Sequence, residues 1–219
     1  MAQEHCSNSA LIDAQSMGLA QKEWKQFQKV HNYGGPAACQ SDKDTFLVMR
    51  CSQFAAWPPA VKASYECDLD HAAAAGRNLL TEKYAYMMRN TAPVEYAELA
   101  GQLPTISPEK EKLIKGIVAY VLNWSAEMQD KYPWLMATSR PVHTVQDSLG
   151  TSIETYTWGE LSTYSERTLS LLLEHYQAMA DREINIHEVT LGITVRLYGY
   201  DSLEQAEETA EKRLSERLC

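Results

Sequence analysis

A chain of 219 residues with 45% hydrophobic and 22% charged side chains has a globular composition, and its length suits one helical domain over residues 1–219. Lysine and arginine number 20 against 29 aspartates and glutamates, a net charge of −9, which with no five-residue basic block or basic amphipathic face argues against the phosphate-neutralising surface that nucleic acids and anionic membranes require. No stretch approaches the ~18–20 apolar residues of a membrane span, and the N-terminus lacks the basic start and apolar run of a signal peptide, so the cytoplasm is the expected compartment.

Helix signals dominate in chain order. Met17, Ala20, Trp24, Phe27 and His31 recur at three and four, predicting a helix over 9–31 with one apolar face. HNYGGPAACQSD interrupts it at Gly34, Gly35 and Pro36. Ser41 with Asp44 resembles a capping box for a second helix that ends at Trp57, and Pro58 and Pro59 lead into a third that runs to Gly76. The alanines at 72–75 in that helix would admit a neighbouring backbone. RNLLTEKYAYMMRN predicts a fourth helix and PVEYAELAG a short fifth. Ser107, Pro108 and Glu109 start the clearest stripe of all, Leu113, Ile114, Ile117, Val118, Val121, Leu122 and Met128.

KYPWLMATSRPVHTVQDSLG reads as irregular. Thr151 with Glu154 caps a long helix to about Arg182, and Ser202 with Gln205 caps the last one. Residues 189–198 alternate apolar and polar like a strand, but a lone strand has no partner, which favours helix. The expected fold is all-α, a compact bundle of about seven to nine helices.

Polar residues on faces that should be buried single out a candidate site. In SIETYTWGELSTYS, Tyr156, Glu160 and Tyr164 are spaced i, i+4 and i+8 and share one helical face. Arg50 and Gln53 fall between Phe46 and Trp57 on the second helix. Arg77 heads the face of Leu80, Tyr84, Met87 and Met88 on the fourth. A buried carboxylate without a partner costs several kcal/mol, and a guanidinium can grip it with two parallel hydrogen bonds. Two arginines against one glutamate leave one guanidinium in surplus, which an anionic ligand, a carboxylate or phosphate, would use. The expected function is therefore a small-molecule enzyme or binding domain for an anionic metabolite. Arg50, Gln53 and Arg77 would bind it. Glu160 would act as acid or base, its pKa raised towards neutral, with Tyr156 and Tyr164 tuning or donating to it. The competing reading of the same residues is a satisfied structural network.

Cys39 is a further binding candidate, because it stands just before a helix N-terminus whose backbone donors would favour an anion and lower its thiol pKa. A plain turn is the alternative. The five cysteines are odd in number and irregularly spaced, which fits free thiols. Glu183 with His187, and Glu174 beside His175, are the remaining ligand-like pairs. Without an ExxH pattern they give no expectation of a metal or cofactor.

Five phrases in this order, KEWKQFQKVHNYGGPAACQSD, MRCSQFAAW, GRNLLTEKYAYMM, SIETYTWGELSTYS and RLYGYDSLEQAE, resemble a family of uncharacterised bacterial proteins catalogued as a domain of unknown function. The resemblance runs from about Trp24 to Glu207. Some members of that family are fused to a nucleotidyltransferase-like domain. The resemblance therefore implies a bacterial protein and a nucleotidyltransferase-like partner, and it carries no residue roles. The rival functional reading follows from it: a non-catalytic helical module that docks on such a partner or forms a homodimer.

Overall fold

Helices here begin where a short side chain can receive free backbone N–H groups. The computed structural model describes residues 11–30, 38–137, 139–149 and 151–218. Those residues form α1 (Ala14–Phe27), α2 (Lys43–Ala55), α3 (Pro59–Ala74), α4 (Leu79–Thr91), α5 (Pro93–Leu99), α6 (Pro108–Lys131), α7 (Pro133–Met136), α8 (Ile153–Leu161), α9 (Glu166–Ala180), α10 (Ile186–Leu197) and α11 (Leu203–Leu218), with no strand among them. Asp13, Asp42, Asn78, Ser107, Ser152, Ser165 and Asn185 cap seven of these helices through their side chains. Prolines occupy the first turn of α3, α5, α6 and α7, where the missing N–H has no helical partner to lose.

The fold is all-α as expected, and the 189–198 segment lies almost wholly within α10. The described residues hold eleven helices rather than seven to nine. Part of the difference is the stretch expected to be irregular, which contains α7 and a 3-10 turn at Thr144–Leu149. The rest is the long helix, which is broken in two. Ser162 and Thr163 donate their hydroxyls to the carbonyls of Trp158 and Glu160, both at 2.7 Å. The N–H of Ser165 leaves the helix for Asp68, at 2.9 Å, and Ser165 then caps α9.

Three helix limits also move. The first helix ends at Phe27, and His31 lies outside the described residues. Asp42 rather than Ser41 caps α2, and Ser152 rather than Thr151 caps α8.

The main core joins α1, α2, α3, α6, α8 and α9 through Leu19, Phe54, Val61, Ile117, Leu161 and Leu169. A second cluster ties Met128 and Tyr132 to Val195 and Leu203. The close helix approach is not at the alanines, since Ala73, Ala74 and Ala75 are exposed. It is at Gly159, where a Cβ would stand 2.5 Å from Met87 Cγ and 2.8 Å from the Lys83 carbonyl oxygen. Packing α8 this tightly on α4 sets Glu160 beside Lys83. No helix among the described residues is long and apolar enough to cross a membrane.

Candidate functional site

Glu160, on the last turn of α8, is 5% exposed. Its Oε1 accepts from the Tyr164 hydroxyl at 2.7 Å, from Gln53 Nε2 at 2.9 Å and from Arg50 Nη1 at 3.1 Å. Its Oε2 accepts from Lys83 Nζ and from Arg50 Nη1. Arg50 turns its other edge to Glu23 of α1, with Nη2 at 2.7 Å from Oε1 and Nε on Oε2. The Tyr65 hydroxyl completes Glu23 at 2.5 Å. Two carboxylates thus meet two cations, and the buried cluster carries no net charge.

This arrangement decides the state of Glu160. Burial alone would raise its pKa, but the charges of Arg50 and Lys83, with hydrogen bonds from Lys83 and Tyr164, hold it well below the ordinary carboxylate range. The direction is therefore opposite to the expected rise towards neutral: these partners hold Glu160 as an anion. Burial opposes the charge on Arg50 and Lys83 as well, yet the neighbouring carboxylates raise both pKa values.

Four expected residues do come together: Arg50, Gln53, Glu160 and Tyr164. Tyr156 is near but plays another part. Its ring lies under Lys83 Nζ, 3.7 Å from the ring centre, and under the Arg140 guanidinium at 4.8 Å, and it makes no hydrogen bond to Glu160. Arg77 does not belong to the cluster. Gly76 (φ 70°) closes α3 in the left-handed conformation, so Arg77 precedes the Asn78 cap, with its side chain 42% exposed and bonded to Glu82 at 2.6 and 2.7 Å. The cation that α4 delivers is Lys83. Cys39 has its backbone in a 3-10 turn, Ala38–Ser41; its side chain and the glycine loop at 31–37 lie outside the described residues.

Beside the cluster opens a cavity of about 290 Å³ between α2, α6, α8, α9 and α10. Most of its lining is apolar, including Met49, Ile117, Val121, Leu172 and Leu191. Its polar lining comes from Gln53, Tyr156, Glu160, Tyr164, Tyr176 and His187, with Thr157, Thr190 and Thr194 beside them. Neither a lysine nor an arginine lines it. Among the described residues no three His, Cys, Asp or Glu side chains gather to hold a metal ion. Glu183 is exposed in a left-handed turn (φ 58°) rather than paired with His187, and His175 is anchored through Nε2 to the Ala56 carbonyl at 3.1 Å.

The family model described as protein of unknown function (DUF4125) matches residues 16–208. The chain belongs to this family. No curated protein and no solved structure matches it.

Three members of the buried cluster are not singled out by the sequence pattern: Glu23, Lys83 and Tyr65. The signal for the two charges is nevertheless present. Glu23 falls between Leu19 and Phe27 at i−4 and i+4, and Lys83 between Leu79 and Met87 at the same spacing. All four of those apolar residues are buried.

Proposed function

We propose that the chain holds a small molecule in the cavity beside Glu160, as a binding domain or as an enzyme. The observation that carries this reading is the cavity itself: about 290 Å³ of largely apolar space with a minority of polar groups on its lining, the usual composition of a ligand site. The anionic ligand expected from sequence depended on a spare guanidinium. Arg50 has Nε, Nη1 and Nη2 engaged, and an anion entering the cavity would meet the Glu160 carboxylate with no cation on the lining. The ligand class proposed here is accordingly uncharged and largely apolar, with Glu160 ordering the wall instead of reacting. A bacterial cytoplasm is the proposed setting, supported by the free thiols of Cys51 and Cys67.

The alternative of an interaction module for a nucleotidyltransferase-like partner or a second copy draws less support. The exposed large apolar residues Met49, Val94, Trp134, Val145, Val189 and Tyr198 are spread over α2, α5, α7, a 3-10 turn, α10 and the turn after it.

Titration of the full chain with naphthalene, followed by its fluorescence, tests the proposal. Wild type should bind saturably, and Thr190→Phe, which projects a ring into the space, should weaken binding by about tenfold or more with helical content unchanged. Absence of saturable binding by wild type would overturn the small-molecule reading.

A further inference from the structure

Several polar atoms on the cavity lining already have protein partners, while the hydroxyls of Tyr156, Thr157 and Thr190 make no hydrogen bond among the described residues. Gln53 and Tyr164 serve Glu160. The hydroxyl of Tyr176 and Nε2 of His187 make no hydrogen bond within the described residues. Among those residues no polar side-chain atom sealed from solvent lacks a partner, so these two atoms keep access to open space. Both side chains line the cavity. Trp124 of α6 fixes the two rings, lying 5.0 Å from Tyr176 and 6.4 Å from His187 between ring centres.

The hydrogen bonds of Ser125 settle which nitrogen of His187 carries the proton. Ser125 Oγ is 2.7 Å from the Val121 carbonyl oxygen, which can only accept, so the single hydroxyl hydrogen is given there. In its 3.1 Å contact with His187 Nδ1, Oγ must therefore accept. Nδ1 holds the hydrogen, and Nε2 presents a lone pair. Burial lowers the His187 pKa to about 4, which keeps the ring neutral at physiological pH. Burial, with Glu160 nearby, pushes the Tyr176 phenol well above its usual range, so its hydroxyl retains a hydrogen to donate.

We propose that His187 Nε2 and the Tyr176 hydroxyl are an acceptor and donor pair that selects an uncharged apolar ligand bearing a protic group, such as a phenol, an alcohol or an amide N–H. The inference rests on the small-molecule reading above and names its ligand chemistry. Ser125 is the positioning residue, since it sets the tautomer without meeting the ligand. Discrimination arises because a ligand without a donor would strip water from Nε2 and leave a buried acceptor unpaired.

The test uses three probes on the full chain: naphthalene, β-naphthol and the methyl ether of β-naphthol. β-Naphthol should bind about tenfold more tightly than its ether, and His187→Phe should abolish the preference. Equal affinity for β-naphthol and the ether, alongside saturable binding of naphthalene, overturns this inference and leaves the small-molecule site standing. Failure of all three to bind overturns both. A second measurement needs no variant: imidazole nitrogen chemical shifts of the unliganded protein should report His187 protonated on Nδ1, with mixed tautomers in Ser125→Ala. A wild-type ring protonated on Nε2 would overturn the proposal regardless of probe affinities.

Discussion

The buried cluster, whose charges come from α1, α2, α4 and α8, and the part of the cavity lining supplied by Tyr176 of α9 and His187 of α10 treat polar atoms in opposite ways. In the cluster, both oxygens of Glu23 and of Glu160 are occupied, and Arg50 has Nε, Nη1 and Nη2 engaged. On the lining, Tyr176 and His187 each offer an atom with no hydrogen-bond partner among the described residues. A saturated network has nothing left with which to bind. It fixes the separation and rotation of the helices that contribute to it. An unfilled polar atom in a mostly apolar cavity is instead a standing cost unless water or a ligand meets it. Glu160 belongs to the network and also lines the cavity, which lets the first region hold the second in shape.

The comparison is broken most forcefully at Arg50. Arg50→Met leaves Glu23 and Glu160 buried beside too little positive charge, and should cost about 3–5 kcal/mol of stability. Arg77→Met breaks the pair with Glu82, in which the arginine side chain is 42% exposed and the glutamate 10%, and should cost less than Arg50→Met, about 1–2 kcal/mol. Chemical denaturation of both variants measures the contrast. Equal losses would show that the Arg50 cluster is not the sealed network described.

Acid separates the two regions by pH. His187 has a folded pKa of about 4, below its ordinary 6.5. Unfolded chains therefore take up the proton first, and stability present above pH 6.5 is lost as pH falls towards 4, by up to about 3 kcal/mol. His175, also lowered by burial, acts in the same direction. Glu160 is likewise depressed, from an ordinary 4.5, so its contribution is complete above that pH and lost only below it. His187→Phe should flatten the upper limb of a stability-against-pH curve, and Glu160→Gln the lower one. Parallel upper limbs in wild type and His187→Phe would show that the imidazole is not held neutral by burial.

Much of the fold is legible because helix periodicity and caps are local. The alternation at 189–198 is resolved by asking what a strand there would pair with, and within α10 Val189 is exposed while Val195 is buried. The break at 162–165 is hidden because Leu161, Thr168 and Leu172 keep an apolar period across it, and the side chain that diverts the Ser165 N–H comes from Asp68 on α3. The site was half legible for a related reason. Glu23 and Lys83 each sit one residue before an aromatic, Trp24 and Tyr84, that the apolar period picks out. That period reflects real packing, since both aromatics join Phe27, Phe46 and Leu80 in a separate small cluster. One residue is about 100° of helix, so a stripe centred on the lesser cluster turns the charges of the main one out of view.

The comparison is sharpened most finely by two tyrosines that line the same cavity. Tyr164→Phe removes a hydrogen bond to an ionised carboxylate and should destabilise the protein by about 2 kcal/mol. Tyr176→Phe removes a hydroxyl that makes no hydrogen bond among the described residues, and stability should stay within about 0.5 kcal/mol of wild type. Ligand selection should move the other way. The preference for β-naphthol over its ether should survive Tyr164→Phe, because Gln53, Arg50 and Lys83 still hold Glu160, and affinity for β-naphthol should fall in Tyr176→Phe as one of its two polar contacts disappears. Thermal unfolding and titration of the same two samples measure both effects. If Tyr176→Phe is the more destabilising variant, its hydroxyl has a structural partner, and the division between a filled cluster and an open wall does not hold.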